Sequence, residues 1–169
     1  MNTFKAIETR YKGYRFRSRL EARWAVYFDA VGLRWEYEPE GFLLGRLGPY
    51  LPDFWLPDVQ HWCEVKPTEF TRLEFRKCRR LVIGTGKNCV LLVGAPAPRA
   101  YATLSSGWKG TDGSVVLNCD YLHERRFYSF PGCLCHEKRD GGCDGCSRDD
   151  TAAAAIEAIS ARFEHNERK

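Results

Sequence analysis

The sequence predicts a mixed α/β protein, and three patterns predict it. Leu20, Trp24, Tyr27, Phe28 and Val31 recur at helical spacing. Three short runs rich in β-forming residues follow, at 34–39, 50–56 and 61–66. A second helical segment then leads into Asn88-Cys89-Val90-Leu91-Leu92-Val93-Gly94. That run shows no alternation, as expected of a strand covered on both faces.

Each element has its own signals. Ser18-x-x-Glu21 stands at the start of the first helix as a capping box, and Gly32 is a good stop. Arg34-Trp35-Glu36-Tyr37-Glu38-Pro39 alternates aromatics with acids. Residues 41–49 read as a turn-rich connection into the strand that holds Asp53. Pro57-Asp58-Val59-Gln60 supplies a turn. In the next strand Trp62, Glu64 and Lys66 share one face and His61, Cys63 and Val65 the other. Pro67 and Thr68 introduce a helix expected over about 69–83, closed by Gly84-Thr85-Gly86. Pro96-Ala97-Pro98 ends this part, so the expected organisation is a core over 1–98 and a C-terminal extension over 99–169. In the extension, strand-like pieces fall at 114–117 and 126–130. A final helix follows, capped by Asp149-Asp150-Thr151, with Ile156, Ile159 and Phe163 as its packing stripe.

Pro52-Asp53 followed by Glu64-Val65-Lys66 carries the chemistry. In a hairpin Asp53 can sit across from Glu64 and Lys66. Two carboxylates and a lysine at a sheet edge suffice for metal-dependent phosphodiester cleavage. A cation held by acidic oxygens lowers the pKa of an attacking water and offsets developing charge, while the lysine adds a point charge beside the phosphate. The bland alternative is an ordinary hairpin with a solvated ion pair between Glu64 and Lys66. Glu21 also has two readings, a third acidic ligand or the distal half of a capping box with Ser18.

These residues resemble the signature of the PD-(D/E)XK nuclease superfamily. Over roughly residues 10–95 the likeness is nearest to phage Holliday-junction endonucleases and to the end-cleaving subunit of heteromeric transposases. It implies a restriction-endonuclease-like core of helix, three-strand meander, helix and strand. It implies DNA hydrolysis with Mg2+ or Mn2+, with Asp53 and Glu64 as chief ligands, Glu21 as an additional one, the Val65 carbonyl as a further one, and Lys66 orienting water. A non-catalytic nucleic-acid-binding or partner-docking module on the same fold is the alternative function.

The 169 residues carry 26 Lys/Arg against 22 Asp/Glu, a net charge of only +4. That charge is uneven. Residues 1–24 contain seven Lys/Arg against Glu8 and Glu21, and residues 66–87 contain seven against Glu69 and Glu74. Lys12, Arg15, Arg17 and Arg19 in the first cluster, and Arg72, Arg76, Arg79 and Arg80 along one helix arc in the second, are the expected contacts to DNA phosphates. RNA is not excluded, and a homodimer or a partner subunit is left open. A solvated face is the competing reading of the second cluster. Tyr11, Tyr14 and Phe16 alternate with the first-cluster cations and suit either base stacking or a core role.

Cys63, Cys78, Cys89 and Cys119 sit in apolar surroundings and read as small buried hydrophobes. Cys133, Cys135, Cys143 and Cys146 cluster among glycines and charges, which suits structural zinc in a C-terminal lobe. His136 could replace one thiol, and two disulfides are the alternative. The polar, basic residues 1–20 do not read as a signal peptide, so a cytoplasmic location with reduced thiols is expected. The longest apolar run, near 89–97, falls short of the roughly 20 residues a membrane helix requires.

Overall fold

The computed structural model describes residues 7–97, 101–109, 115–117 and 148–163. Thr9–Tyr11 (β1) and Tyr14–Phe16 (β2) form an antiparallel hairpin. Lys12 and Gly13 turn it with φ values of 47° and 81°, the two positive angles that a two-residue hairpin turn of matching twist requires.

Arg19–Ala30 (α1) starts at Ser18, whose hydroxyl accepts the Glu21 N–H. It ends in a Schellman arrangement: Gly32 N–H bonds to Asp29 O at 3.0 Å and Leu33 N–H to Phe28 O at 2.9 Å. Gly32 supplies the positive φ that this ending needs. Trp24, Tyr27 and Phe28 of α1 are 0–1% exposed, each worth about 1.5–3 kcal/mol of apolar burial. The Trp24 indole N–H donates to Gly94 O at 3.0 Å, so its one polar group is satisfied.

Glu36–Tyr37 (β3), Phe54–Leu56 (β6) and His61–Lys66 (β7) form the antiparallel meander. Between β3 and β6, Phe42–Leu43 (β4) and Pro49–Tyr50 (β5) pair as a small separate sheet. Residues 41–49 are therefore largely a hairpin, not a plain connection. The expected run 34–39 shortens to β3 because Glu38 adopts φ 47°. The run 50–56 divides because Pro52 has no N–H to donate and Tyr50 pairs outward with β4.

After β7 the second helix, Arg72–Thr85 (α2), begins three residues later than expected. Thr71 and Glu74 form a full capping box there, a signal written in Thr71-x-x-Glu74. Asn88–Val93 (β8) then runs parallel to β7. Ala102–Lys109 (β9) and Val115–Leu117 (β10) extend the sheet antiparallel. The strand order is β10-β9-β8-β7-β6-β3. The sheet is thus mixed, and β9 was not expected. Its Ser105-Ser106-Gly107 centre weakens the β signal. The boundary expected after residue 98 falls between two paired strands.

The period of two splits the core. Phe54, Leu56, Cys63, Val65, Val90 and Leu92 face α1, while Trp62, Cys89, Leu91 and Leu104 pack with Cys78, Leu81 and Val82 of α2. Arg148–Ser160 (α3) joins the α1 layer. Its buried side chains are Ala154, Ala155 and Ala158, whereas Ile156 is 68% and Ile159 47% exposed. The expected stripe is therefore wrong apart from Phe163, which is partly buried against the cluster. Small side chains let α3 lie close to α1, and the isoleucines point away. Cys63, Cys78 and Cys89 are buried and unbridged, as expected. Cys119, residues 126–130 and the cluster of Cys133, Cys135, Cys143 and Cys146 with His136 lie outside the described residues.

Candidate active site

β6 and β7 pair with Phe54 opposite Cys63 and Trp55 opposite Trp62. Continuing that register by one residue sets Asp53 opposite Glu64, as the sequence suggests. Asp53 is a bend residue just before β6, not a strand residue. Its carbonyl accepts the Glu38 N–H at 3.0 Å, and its Oδ2 accepts the Val65 N–H at 2.7 Å. Among the described residues Oδ1 carries no hydrogen bond.

Glu64 is 5% exposed. Its Oε1 takes Lys66 Nζ at 2.6 Å and its Oε2 takes the Tyr50 hydroxyl at 2.6 Å. Tyr50 also lies 3.3 Å from Cys78 Sγ. Burial, then Cys78 and Glu64, push the Tyr50 hydroxyl far up, so it stays protonated and donates. Burial pulls the Lys66 ammonium down, but Glu64, Asp53 and Glu74 outweigh it and leave it raised. Lys66 is therefore a cation here, and Glu74 of α2 lies 3.9 Å from it.

Of the two readings the sequence offers for Glu21, the contacts are those of the helix cap. Ser18 and the Glu21 N–H make the capping bond at 3.2 Å. The Glu21 carboxylate takes the Ser18 hydroxyl on Oε1 at 2.7 Å. Its Oε2 takes the Arg17 N–H at 3.2 Å and the Tyr37 hydroxyl at 2.5 Å. The side chain reaches Arg17 rather than the Ser18 N–H, which makes this half of a standard box. Yet Glu21 also acts on Asp53. Burial first, then Glu64, then Glu21, hold the Asp53 carboxyl well above its ordinary range, against the pull of the Val65 N–H and Lys66.

The three acids thus share one neighbourhood, but they do not converge as one ligand set. Among the described residues no group of three or more His, Cys, Asp or Glu side chains is placed to hold a metal ion. The donor chemistry nonetheless fits a hard divalent cation at Asp53 and Glu64. Both offer oxygen, both are buried, and Mg2+ keeping several waters requires only one or two carboxylates. Tyr37 and Tyr50, which hold Glu21 and Glu64, were not foreseen. Neither tyrosine bears a spacing relation to its glutamate that a sequence would reveal.

The cation clusters fare differently. Lys12 pairs with Asp29 at 2.9 Å, Arg15 with Glu8 at 2.5 Å and Arg17 with Glu38. Arg19 is half-buried on α1. Arg72, Arg76, Arg79 and Arg80 are all exposed, and among the described residues none has an ion-pair partner. Phe16 is fully buried. Tyr11 donates to Asp29 at 2.9 Å, and Tyr14 leans on Trp35 with ring centres 4.9 Å apart. Phe16 and Tyr11 thus fill core and structural roles, while Tyr14 remains exposed.

No family model, no curated protein and no solved structure matches the chain.

Proposed function

We propose that the chain hydrolyses phosphodiester bonds in DNA, using Mg2+ or Mn2+ held chiefly by Asp53 and Glu64. The observation that carries this reading is the buried Asp53 carboxylate bonded to the Val65 N–H at 2.7 Å, next in chain to Glu64, with the Lys66 ammonium 2.6 Å from Glu64. A bound cation would lower the pKa of the attacking water and neutralise charge building on the phosphate. The chain's own residues do the rest. Lys66, kept charged by its acidic neighbours, offers a point charge to a phosphate oxygen. Glu21 and the Val65 N–H both act on Asp53. Water attacks phosphorus and gives up a proton to solvent, the bond to the leaving oxygen breaks, and that oxygen takes up a proton from solvent.

A second reading, a nucleic-acid-binding or partner-docking module without catalysis, draws support from one observation. Both oxygens of Glu21 and both of Glu64 already have hydrogen-bond partners, as acids with a structural role do. Incubating the purified chain with linear, nicked, four-way and single-stranded DNA and with RNA, with Mg2+ or with EDTA, separates the two. Mg2+-dependent products support hydrolysis, and binding without products on any substrate supports the module. Among the described residues no helix is long and apolar enough to cross a membrane.

A further inference from the structure

The two cation clusters look alike in sequence but differ in the fold. Lys12, Arg15 and Arg17 each meet an acid, so their charge is largely neutralised at home. On α2 the residues Arg72, Arg76, Arg79 and Arg80 meet none among the described residues. At 100° per residue they fall within an arc of about 100°, and from Arg72 to Arg80 the helix rises about 12 Å. Within Arg72–Thr85 there are five cations and one acid, Glu74. That balance of +4 equals the net charge of the entire chain.

Two features say what meets this row. The apolar side of α2, with Cys78, Leu81 and Val82 fully buried, is locked against the sheet, and Leu73 and Ile83, its two exposed large apolar side chains, are too few and too far apart to make a lipid-inserting face. The capping box satisfies the Thr71 and Glu74 N–H groups and sets the Glu74 carboxylate at the helix start, which leaves the guanidinium row as the stronger anion-facing element. Guanidinium matches phosphate oxygens bidentately, and a 12 Å row spans about three to four phosphates of a duplex at roughly 3.4 Å per step on one strand.

We propose that the Arg72-Arg76-Arg79-Arg80 face of α2 is a track for a nucleic-acid phosphate backbone, and that Lys12, Arg15 and Arg17 contribute little to binding. Lys66 Nζ lies 3.9 Å from Glu74 in the first turn of α2, but Glu74 stands about 170° around the helix from the middle of the arginine arc. The track therefore stands apart from the hydrolytic reading, and binding itself does not require catalysis.

The test uses fluorescein-labelled random-sequence duplex DNA, the same single strand, and single-stranded RNA, read by anisotropy over a salt series in EDTA. Replacing all four arginines by glutamine (R72Q, R76Q, R79Q, R80Q) should weaken duplex binding at least about tenfold at low salt. It should also flatten the log–log salt slope by about three, at about 0.9 per phosphate. The triple variant K12Q, R15Q, R17Q should stay within about twofold of wild type. The substitutions are exposed, so unchanged circular dichroism and melting are expected for the quadruple variant. A wild-type slope in the quadruple variant, or a greater loss in the triple, overturns the track. So does binding to phosphatidylserine vesicles that tracks these arginines while nucleic acids do not bind. Weak duplex binding with strong single-strand or RNA binding keeps the track and identifies the strand. Normal binding without cleavage removes only the hydrolytic reading.

Discussion

Tyr50 and Glu64 share a 2.6 Å hydrogen bond, and through it the small β4–β5 sheet fixes a carboxylate on the central strand β7. Tyr37 does the same for Glu21 from β3 at 2.5 Å. Burial first, and then the Glu21 hydrogen bond, push the Tyr37 hydroxyl up, so it too remains a donor. Two acids far apart in sequence are thus each held by a neutral hydroxyl, and their oxygens are aimed before any substrate arrives.

Replacing Tyr50 by Phe leaves a Glu64 oxygen without its donor in a site that is nearly closed to water. The expected cost is about 1–3 kcal/mol of unfolding free energy, measured by urea denaturation at pH 7.5. Tyr37→Phe should cost less, because Glu21 keeps the Arg17 N–H and the Ser18 hydroxyl. If Tyr50→Phe unfolds at the wild-type midpoint, the tyrosine does not hold Glu64.

Asp53 should make the protein less stable as pH rises. Its folded carboxyl titrates above the ordinary 3.8, through burial and then Glu64 and Glu21. The folded state therefore holds this proton more tightly than the unfolded chain. Stability from this group is full below pH 4 and is lost as pH climbs through the raised value. Asp53→Asn has no such charge, and its amide oxygen can still accept the Val65 N–H. It should melt at or above wild type at pH 7.5, with the difference closing near pH 4. The same variant, with Glu64→Gln and Lys66→Ala, should lose cleavage by on the order of a hundredfold or more. Melting Asp53→Asn and wild type across pH 4–8 with and without Mg2+ checks the stability half, and a Mg2+-dependent cleavage assay of the three single variants checks the other. A cation that binds should stabilise wild type and leave Asp53→Asn behind.

For Glu21, capping and ligation predict different losses. Glu21→Gln keeps one acceptor oxygen, so the stability change should stay near or below about 1 kcal/mol. Removing the charge also removes one of the pressures on Asp53. Turnover falling well beyond what the melting change explains assigns Glu21 a part in the chemistry. Wild-type turnover returns it to the helix cap.

Much of this arrangement was legible because it is written in short-range patterns. The alternation through β7 put Glu64 and Lys66 on one face, the apolar run at 88–94 announced a covered strand, and Ser18 and Gly32 bounded α1. What stayed hidden depends on distance in the fold. Tyr50 could not be matched to Glu64 without knowing that residues 41–50 fold back as β4–β5. The ion pairs of Lys12 with Asp29 and Arg17 with Glu38 turn apparent phosphate ligands into internal partners, and composition alone cannot reveal this. Thr71-x-x-Glu74 was readable, but the Pro67-Thr68 start offered a competing signal.

The cysteine cluster at Cys133, Cys135, Cys143 and Cys146 makes a prediction from sequence alone. Residues 131–150 contain Leu134 as their one large aliphatic side chain, too little apolar surface to offset the entropy of ordering. Elemental analysis of protein purified without added metal should find about one zinc per chain. Chelation should lower protection from proteolysis around those residues and leave α1, α2 and the sheet folded. Finding no zinc in the protein as purified, together with four thiols that react readily, would rule the site out.

The last expectation concerns α3, where the long side chains are not the ones that pack. Ala154, Ala155 and Ala158 are 0–3% exposed and belong to the same cluster as Ala22, Ala25 and Phe28 of α1. A surface made of methyl groups on both helices leaves no room for a larger side chain without moving a helix. Ala158→Leu should therefore destabilise by about 1–3 kcal/mol through overpacking. Ile156→Ala and Ile159→Ala remove exposed methyl and methylene groups and should change stability by no more than about 0.5 kcal/mol. An amphipathic helix packed through its isoleucines predicts the reverse order, with losses of about 2–5 kcal/mol for the isoleucines. Thermal melts of the three single variants decide between the two orders. Because α3 packs on α1 and carries none of the candidate site's residues, loss of its packing should lower stability and leave nucleic-acid affinity, read at a temperature where all variants are folded, unchanged.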